Sequence, residues 1–372
     1  MRRLLLIGTA AALLVTPAQA FNIGAIVQIG SNNSTGTSTQ LDPPAPIDKV
    51  WSGNVRVGLS VGDDNHNEID QRAARWSTND ATALQLGNGN YQHTDQATST
   101  GVGYYTPPLC VPFFGCILPS LPVPLDLNRN SAWTVQIGDD NYAMTFQRRG
   151  TGNGNSSGVL QVGWSNGSAV FQVGGSDQRT MQVGFLNGSI TGQFGEDNVA
   201  RTVQLGVLNG AIVIQNGDDN TARTRQVGVL NGAATLQNGN GNSARTRQNG
   251  VFNAAATVQS GNGNSARTRQ DGEINAALTV QLGVGNDART RQDGSFNYSQ
   301  TVQAGGFNES RTYQEGDFND AGVTQLGFGN DASITQFGTG NEAEVSQSSQ
   351  GSWGAVGQVG SGNSATLVQG SW

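Results

Sequence analysis

The stretch Gln248-Asn249-Gly250-Val251-Phe252-Asn253-Ala254-Ala255-Ala256-Thr257-Val258 is one copy of the pattern that decides the fold. From Gln182 to Gln369 a glutamine recurs every 11 residues without a slip. Of the 17 intervals so defined, 16 place Gly two residues after the glutamine and Asn five after it. Gln347 alone is followed by Ser349 and Ser352 at those places. A fixed short period marks a stacked repeat architecture. Gly with two following residues makes a tight reversal, because Gly takes φ > 0 at no steric cost. The remaining Asn-x-Ala-x-Thr-x-Gln has a usual strand length, and its alternation sends Asn, Ala, Thr and Gln to one face. Small and amide side chains let two such faces approach closely, and amides stacked coil on coil form hydrogen-bonded ladders. The expected fold is all-β: an amyloid-like, two-sheet β-solenoid of 22-residue coils, each built from two 11-residue strand-turn half-repeats. Its ladders are expected at Gln226, Gln237, Gln248, Gln259 and Gln270, and at Asn231, Asn242, Asn253, Asn264 and Asn275.

A second period sits on the first. Alternate strands differ at their outward positions, so the coil is 22 residues long. One strand set carries Arg179, Arg201, Arg223, Arg245, Arg267, Arg289 and Arg311 at that interval, with Arg225, Arg247, Arg269 and Arg291 as a neighbouring column. The other set shows Ile212, Ile214, Leu236, Val258, Leu278, Val280 and Val302. One turn repeats an apolar residue before its Asn (Leu186, Leu208, Leu230, Phe252, Ile274, Phe296, Phe318), while the opposite turn is polar, as in Gly217-Asp218-Asp219-Asn220. The reading gives a basic face, an apolar face, a greasy edge and a polar edge.

The unit resembles the curlin repeat of bacterial curli fibre subunits, with its Gln-x-Gly-x-x-Asn-x-Ala-x-x-x-Gln core. The match is close over Gln182 to Gln369 and loose over about 131–181. Curlin coils usually begin one strand with Ser and the other with Asn, whereas both strand sets here begin with Asn, as at Asn242 and Asn253. The chain is also longer than an ordinary curli subunit and carries an insertion. The resemblance implies a secreted, curli-like functional amyloid of the cell surface or biofilm matrix that supports adhesion. It also implies self-assembly by end-to-end stacking, with other curli-like subunits and an outer-membrane secretion pore as partners.

The rest of the chain fits export. Met1 to Ala20 reads as a signal peptide: Arg2 and Arg3, an apolar stretch from Leu4 to Val15, then Ala18-Gln19-Ala20 before a cut at Phe21. Residues 21–50 read as an extended N-terminal segment with one isolated repeat half at Gln28-Ile29-Gly30 and Asn33. Residues 51–96 hold degenerate repeats, expected as worn coils at the end of the stack. Residues 97–130 form a Pro- and Cys-rich insertion whose prolines cannot donate to a ladder. Its Cys110 and Cys116 are the only cysteines and, in an exported protein, are expected to close a small disulfide ring. Residues 131–372 make the solenoid proper; the step from Gln172 to Gln182 is one residue short, so a kink or bulge is expected there.

No catalytic set emerges, and no enzyme, cofactor or metal site is expected. His66 and His93 are the only histidines, and both read as exposed in weak repeats. Charged residues are 13% of the chain and the net charge is −7, which argues against general nucleic-acid binding. The arginine columns are the sharpest feature not required by the coil. At a strand spacing of about 4.8 Å, adjacent guanidinium groups repel by about 0.9 kcal/mol even in water-like dielectric. Two readings stand: charge that blocks lateral aggregation, or a face for an anionic polysaccharide, lipopolysaccharide or extracellular DNA at Arg201, Arg223, Arg245, Arg267, Arg289 and Arg311. The first function expected is the fibre subunit; the alternative is a monomeric β-solenoid adhesin binding an anionic polymer through that face.

Overall fold

The computed structural model describes residues 21–35, 40–41, 53–72, 78–98, 110–111, 115–116, 129–148 and 154–370. The signal segment, most of the insertion and the last two residues lie outside them. Within the described residues the chain is all-β: a 14-stranded and a 15-stranded sheet, each following the order of the coils, plus one two-stranded hairpin. All pairings in the two large sheets are parallel, from Phe21–Ile29 against Gly53–Val61 to Glu342–Gln347 against Ser364–Gln369. Each coil sends one strand to each sheet, so the chain winds as a flattened β-solenoid. Fourteen strands at the usual spacing make a stack about 60 Å long.

Side-chain parity follows the alternation. In the strand Ser243–Val251, Ala244, Thr246 and Gln248 are buried together with the preceding Asn242, while Arg245 is exposed. The core is thus a layer of alanines, threonines and amides, with aliphatic bulk only at places such as Ile69, Val159, Val213 and Ile334. Thr224, Thr246 and Thr268 leave their buried Oγ1 atoms without a hydrogen-bond partner.

The turns use more positive φ than the glycine alone. Gly250 sits at φ 129, and Phe252, two residues later, is in the left-handed region at φ 58. Leu186, Leu208, Leu230, Ile274, Phe296 and Phe318 share that conformation (φ 54 to 57) on the apolar edge. On the other edge Gly241, Gly263 and Gly285 take the same place, without the steric penalty that a Cβ brings.

Two expectations change at the boundaries. Residues 21–50 are not simply an extended segment, since Phe21–Ile29 is a full strand paired along its length with Gly53–Val61. The insertion falls between neighbouring coils, as a loop in the stack would. Arg129–Ile137 pairs in register with Thr78–Leu86, so the described strands on either side of the insertion belong to successive coils. Finally, no bulge follows the short step after Gln172. The missing residue comes out of the turn, and Gln161 and Gln172 stay opposite Gln182 and Gln193. Ser176 takes the place of the asparagine there and donates to the Gly195 carbonyl at 3.1 Å.

Candidate interaction surfaces

The inner ladders run in opposite directions. Gln226 donates from Nε2 to Oε1 of Gln248 at 2.9 Å, and Gln248 to Gln270 at 2.9 Å, each bond pointing toward the C-terminus. Gln237 and Gln259 do the same in the other sheet, through 2.8 Å and 2.7 Å bonds. The asparagines point back. Asn253 donates to Asn231 Oδ1 at 3.0 Å, Asn275 to Asn253 at 3.1 Å, and Asn264 to Asn242 at 3.0 Å. Each glutamine spends its second donor across the core: Gln248 reaches the Gly232 carbonyl and Gln270 that of Ala254, at 2.8 Å and 2.9 Å. One side chain therefore ties coil to coil and sheet to sheet. The ladders absorb the irregular loops, because Gln96 still bonds Gln147 at 2.7 Å across 51 residues.

The arginine face divides in two. Toward the C-terminus Arg269 pairs with Asp271, Arg289 with Asp287 and Arg291 with Asp293. Arg311 pairs with Glu309 and lies 3.5 Å from Asp331. The column Asp287, Glu309 and Asp331 on the other flank of these strands was not singled out by the sequence reading. Column spacing could have revealed it. The hydrogen bond that Arg291 donates to Asp293, with the charge of that carboxylate, raises the guanidinium above its ordinary value. Among the described residues Arg201, Arg223, Arg225, Arg245, Arg247 and Arg267 have no ion pair. The strands from Val199–Val207 to Ser243–Val251 contain no acid.

The histidines are less isolated than the sequence suggests. The strand His66–Arg72 stacks on Tyr91–Ala97, which sets Glu68 opposite His93. Glu68 Oε2 lies 3.0 Å from His93 Nδ1 and 3.8 Å from His66 Nε2. The His66 ring also stacks on Tyr91, which stacks on Tyr142 at 4.8 Å. Among the described residues no three His, Cys, Asp or Glu side chains form a candidate metal site. Cys110 and Cys116 lie opposite each other in the hairpin of Cys110–Val111 with Gly115–Cys116, while their side chains, and with them the expected disulfide, lie outside the description.

Two further carboxyls show what the columns do to charge. Burial raises the Asp95 carboxyl, but the hydrogen bonds and charge of Arg148, at 2.7 Å and 2.6 Å, outweigh it and hold the group below its usual range. Asp320 moves the other way: burial raises it, and the stacked Glu342 adds to the rise.

A comparison of the whole chain with curated proteins gives no match. The family model of the curlin-associated repeat matches residues 308–338, nearly three successive half-repeats beginning at Asn308, Asn319 and Asn330. Over those residues the chain is similar to the curlin-associated repeat, in the same 11-residue frame that recurs from Gln182 to Gln369.

Proposed function

We propose that the chain is an exported structural protein, a curli-like fibre subunit of the cell surface or biofilm matrix. In this reading it elongates by stacking one solenoid on the end of another. The observation that carries it is the interchangeability of coils. Each interior coil presents glutamine donors on one side and asparagine donors on the other, at nearly constant distances. In the last described coil Gln358 and Gln369 donate to backbone carbonyls alone, and no bond reaches Asn363 Oδ1. A coil of a second copy would meet there the same groups that Gln336 and Asn341 offer inside the stack. The outward Thr366 and Val368 carry no charge to oppose such pairing.

Sedimentation and electron microscopy of the chain from Phe21 onward test this. Fibres with a lag, cross-β diffraction and thioflavin binding are expected, and Thr366→Lys with Val368→Lys should slow elongation. A chain that stays monomeric at high concentration would overturn the fibre reading.

A second reading, adhesion to an acidic polymer, draws on the six arginines without ion pairs. They crowd one face of a protein whose net charge is −7. Its test is salt-dependent binding to an acidic polysaccharide, lost in Arg223→Gln with Arg245→Gln.

A further inference from the structure

The sheet opposite the arginines is free of charge over seven consecutive strands, from Gly167–Val173 to Tyr298–Gly306. On four of them the first outward position is glycine: Gly167, Gly188, Gly210 and Gly232, stacked in register. None has a positive φ, and a Cβ built on any would meet nothing within 4 Å. The column floors an open groove of about 540 Å³ that runs along the solenoid. Tyr142 stands in the same column at one end and Ala254 at the other.

Two residues along, Ile190 and Ile212 stand side by side between Ala169 and Ala234 and form a short ridge, with Ile214 and Leu236 beyond it. These four are 38–48% exposed, a large cost for side chains of this size on an isolated molecule. A groove beside a ridge whose two members stand at the coil heights of Gly188 and Gly210 is self-complementary there. A two-fold axis parallel to the solenoid, midway between the two columns, exchanges them. It sets the ridge of each copy in the groove of the other at equal height.

We propose that this face binds the same face of a second copy, so that two solenoids lie side by side and point the same way. Seven strands at about 4.8 Å, each about 20 Å wide, offer about 650 Å² per partner, within the range of stable interfaces. Like charges exclude the arginine sheet from the same role, since a second copy would bring arginine against arginine. The apolar αL residues support the assignment. Leu186, Leu208 and Leu230 lie two residues before Gly188, Gly210 and Gly232, in a conformation that glycine would hold at less cost. The pairing goes beyond end-to-end stacking and does not depend on it, because two monomeric solenoids could use it as well.

Filling the groove is the test. Because the space above the glycines is open, Gly188→Val with Gly210→Val and Gly232→Val should fold and melt like the parent. Analytical ultracentrifugation and electron microscopy are expected to show the parent as side-by-side pairs. The filled variant should appear as single solenoids, with fibre width or mass roughly halved. Ile190→Ser with Ile212→Ser, which removes the ridge, should give the same result with thioflavin-monitored elongation unchanged. A parent that is single, or pairs that persist in both variants, would overturn the proposal. If elongation fails in the parent while lateral dimers form, the stacking reading falls and this one stands.

Discussion

A Cβ on Gly250 would stand 1.9 Å from the carbonyl oxygen of Gly272 in the next coil. Gly206, Gly228 and Gly272 repeat the relationship at 1.9 Å to 2.0 Å, each against its successor. The turn glycines are therefore needed twice, for φ near +125° and for the closeness of one coil to the next.

Gly250→Ala should cost at least about 3 kcal/mol, since the strained φ and a backbone clash add together. Gly210→Ala, in open space at ordinary φ, should change stability by less than about 0.5 kcal/mol. Denaturant melting of the two variants side by side checks this; equal losses would contradict it.

The amides should outweigh the exposed apolar residues. Gln248→Ala removes bonds to both Gln270 and the Gly232 carbonyl, so Gln270 Oε1 loses its ladder donor and Gln226 its ladder acceptor. Asn253→Ala takes the Oδ1 acceptor from both the backbone N–H and the side-chain amide of Asn275. Each unpaired buried group costs about 1–3 kcal/mol, whereas Val258→Thr should cost under about 0.5 kcal/mol. Thermal melts that rank them the other way would show that the strand faces are misassigned.

The threonine column gives a prediction of opposite sign. Thr246 Oγ1 is buried without a partner, so a methyl in its place removes a desolvated hydroxyl. Thr246→Val should stabilise the chain by about 1 kcal/mol. A loss in the denaturation midpoint would mean that the hydroxyl has a partner after all.

Acid should help the coils around Asp320. Its carboxyl is raised by burial and by Glu342, so the folded state holds the proton more tightly than the unfolded chain does. That contribution is full below the ordinary aspartate value and is lost as pH rises through the folded value. Hydrogen exchange in Asp320–Phe328 should therefore quicken over that window. Glu342→Gln should reduce the change without abolishing it, because burial remains. Asp95 predicts the reverse slope: the stability from its Arg148 pair is present above the ordinary aspartate value and is lost on acidification.

Much of this protein was readable before any coordinates. The 11-residue period fixed strand, turn and face together, because a strand alternates with period two and every coil repeats the same residues. Thus Gln248 and Asn253 face inward and Arg245 outward, as alternation requires. The boundaries were less legible. Asn33 and Gly30 looked like an isolated half-repeat, since what makes them part of a coil is a backbone partner at Gly62, 32 residues away from Gly30. Where loops vary, register is set by pairing across 25 or 51 residues, which no short window reveals.

Sequence alone therefore determined the period, the buried amides and the charge of each face, all consequences of local alternation. Tertiary structure decided the directions of the ladders, the pairing of some arginines and not others, and the glycine groove beside the isoleucine ridge. Those depend on which side chains neighbouring coils bring within a few ångströms of one another. That distance is set by the stacking of the sheets and not by any one repeat.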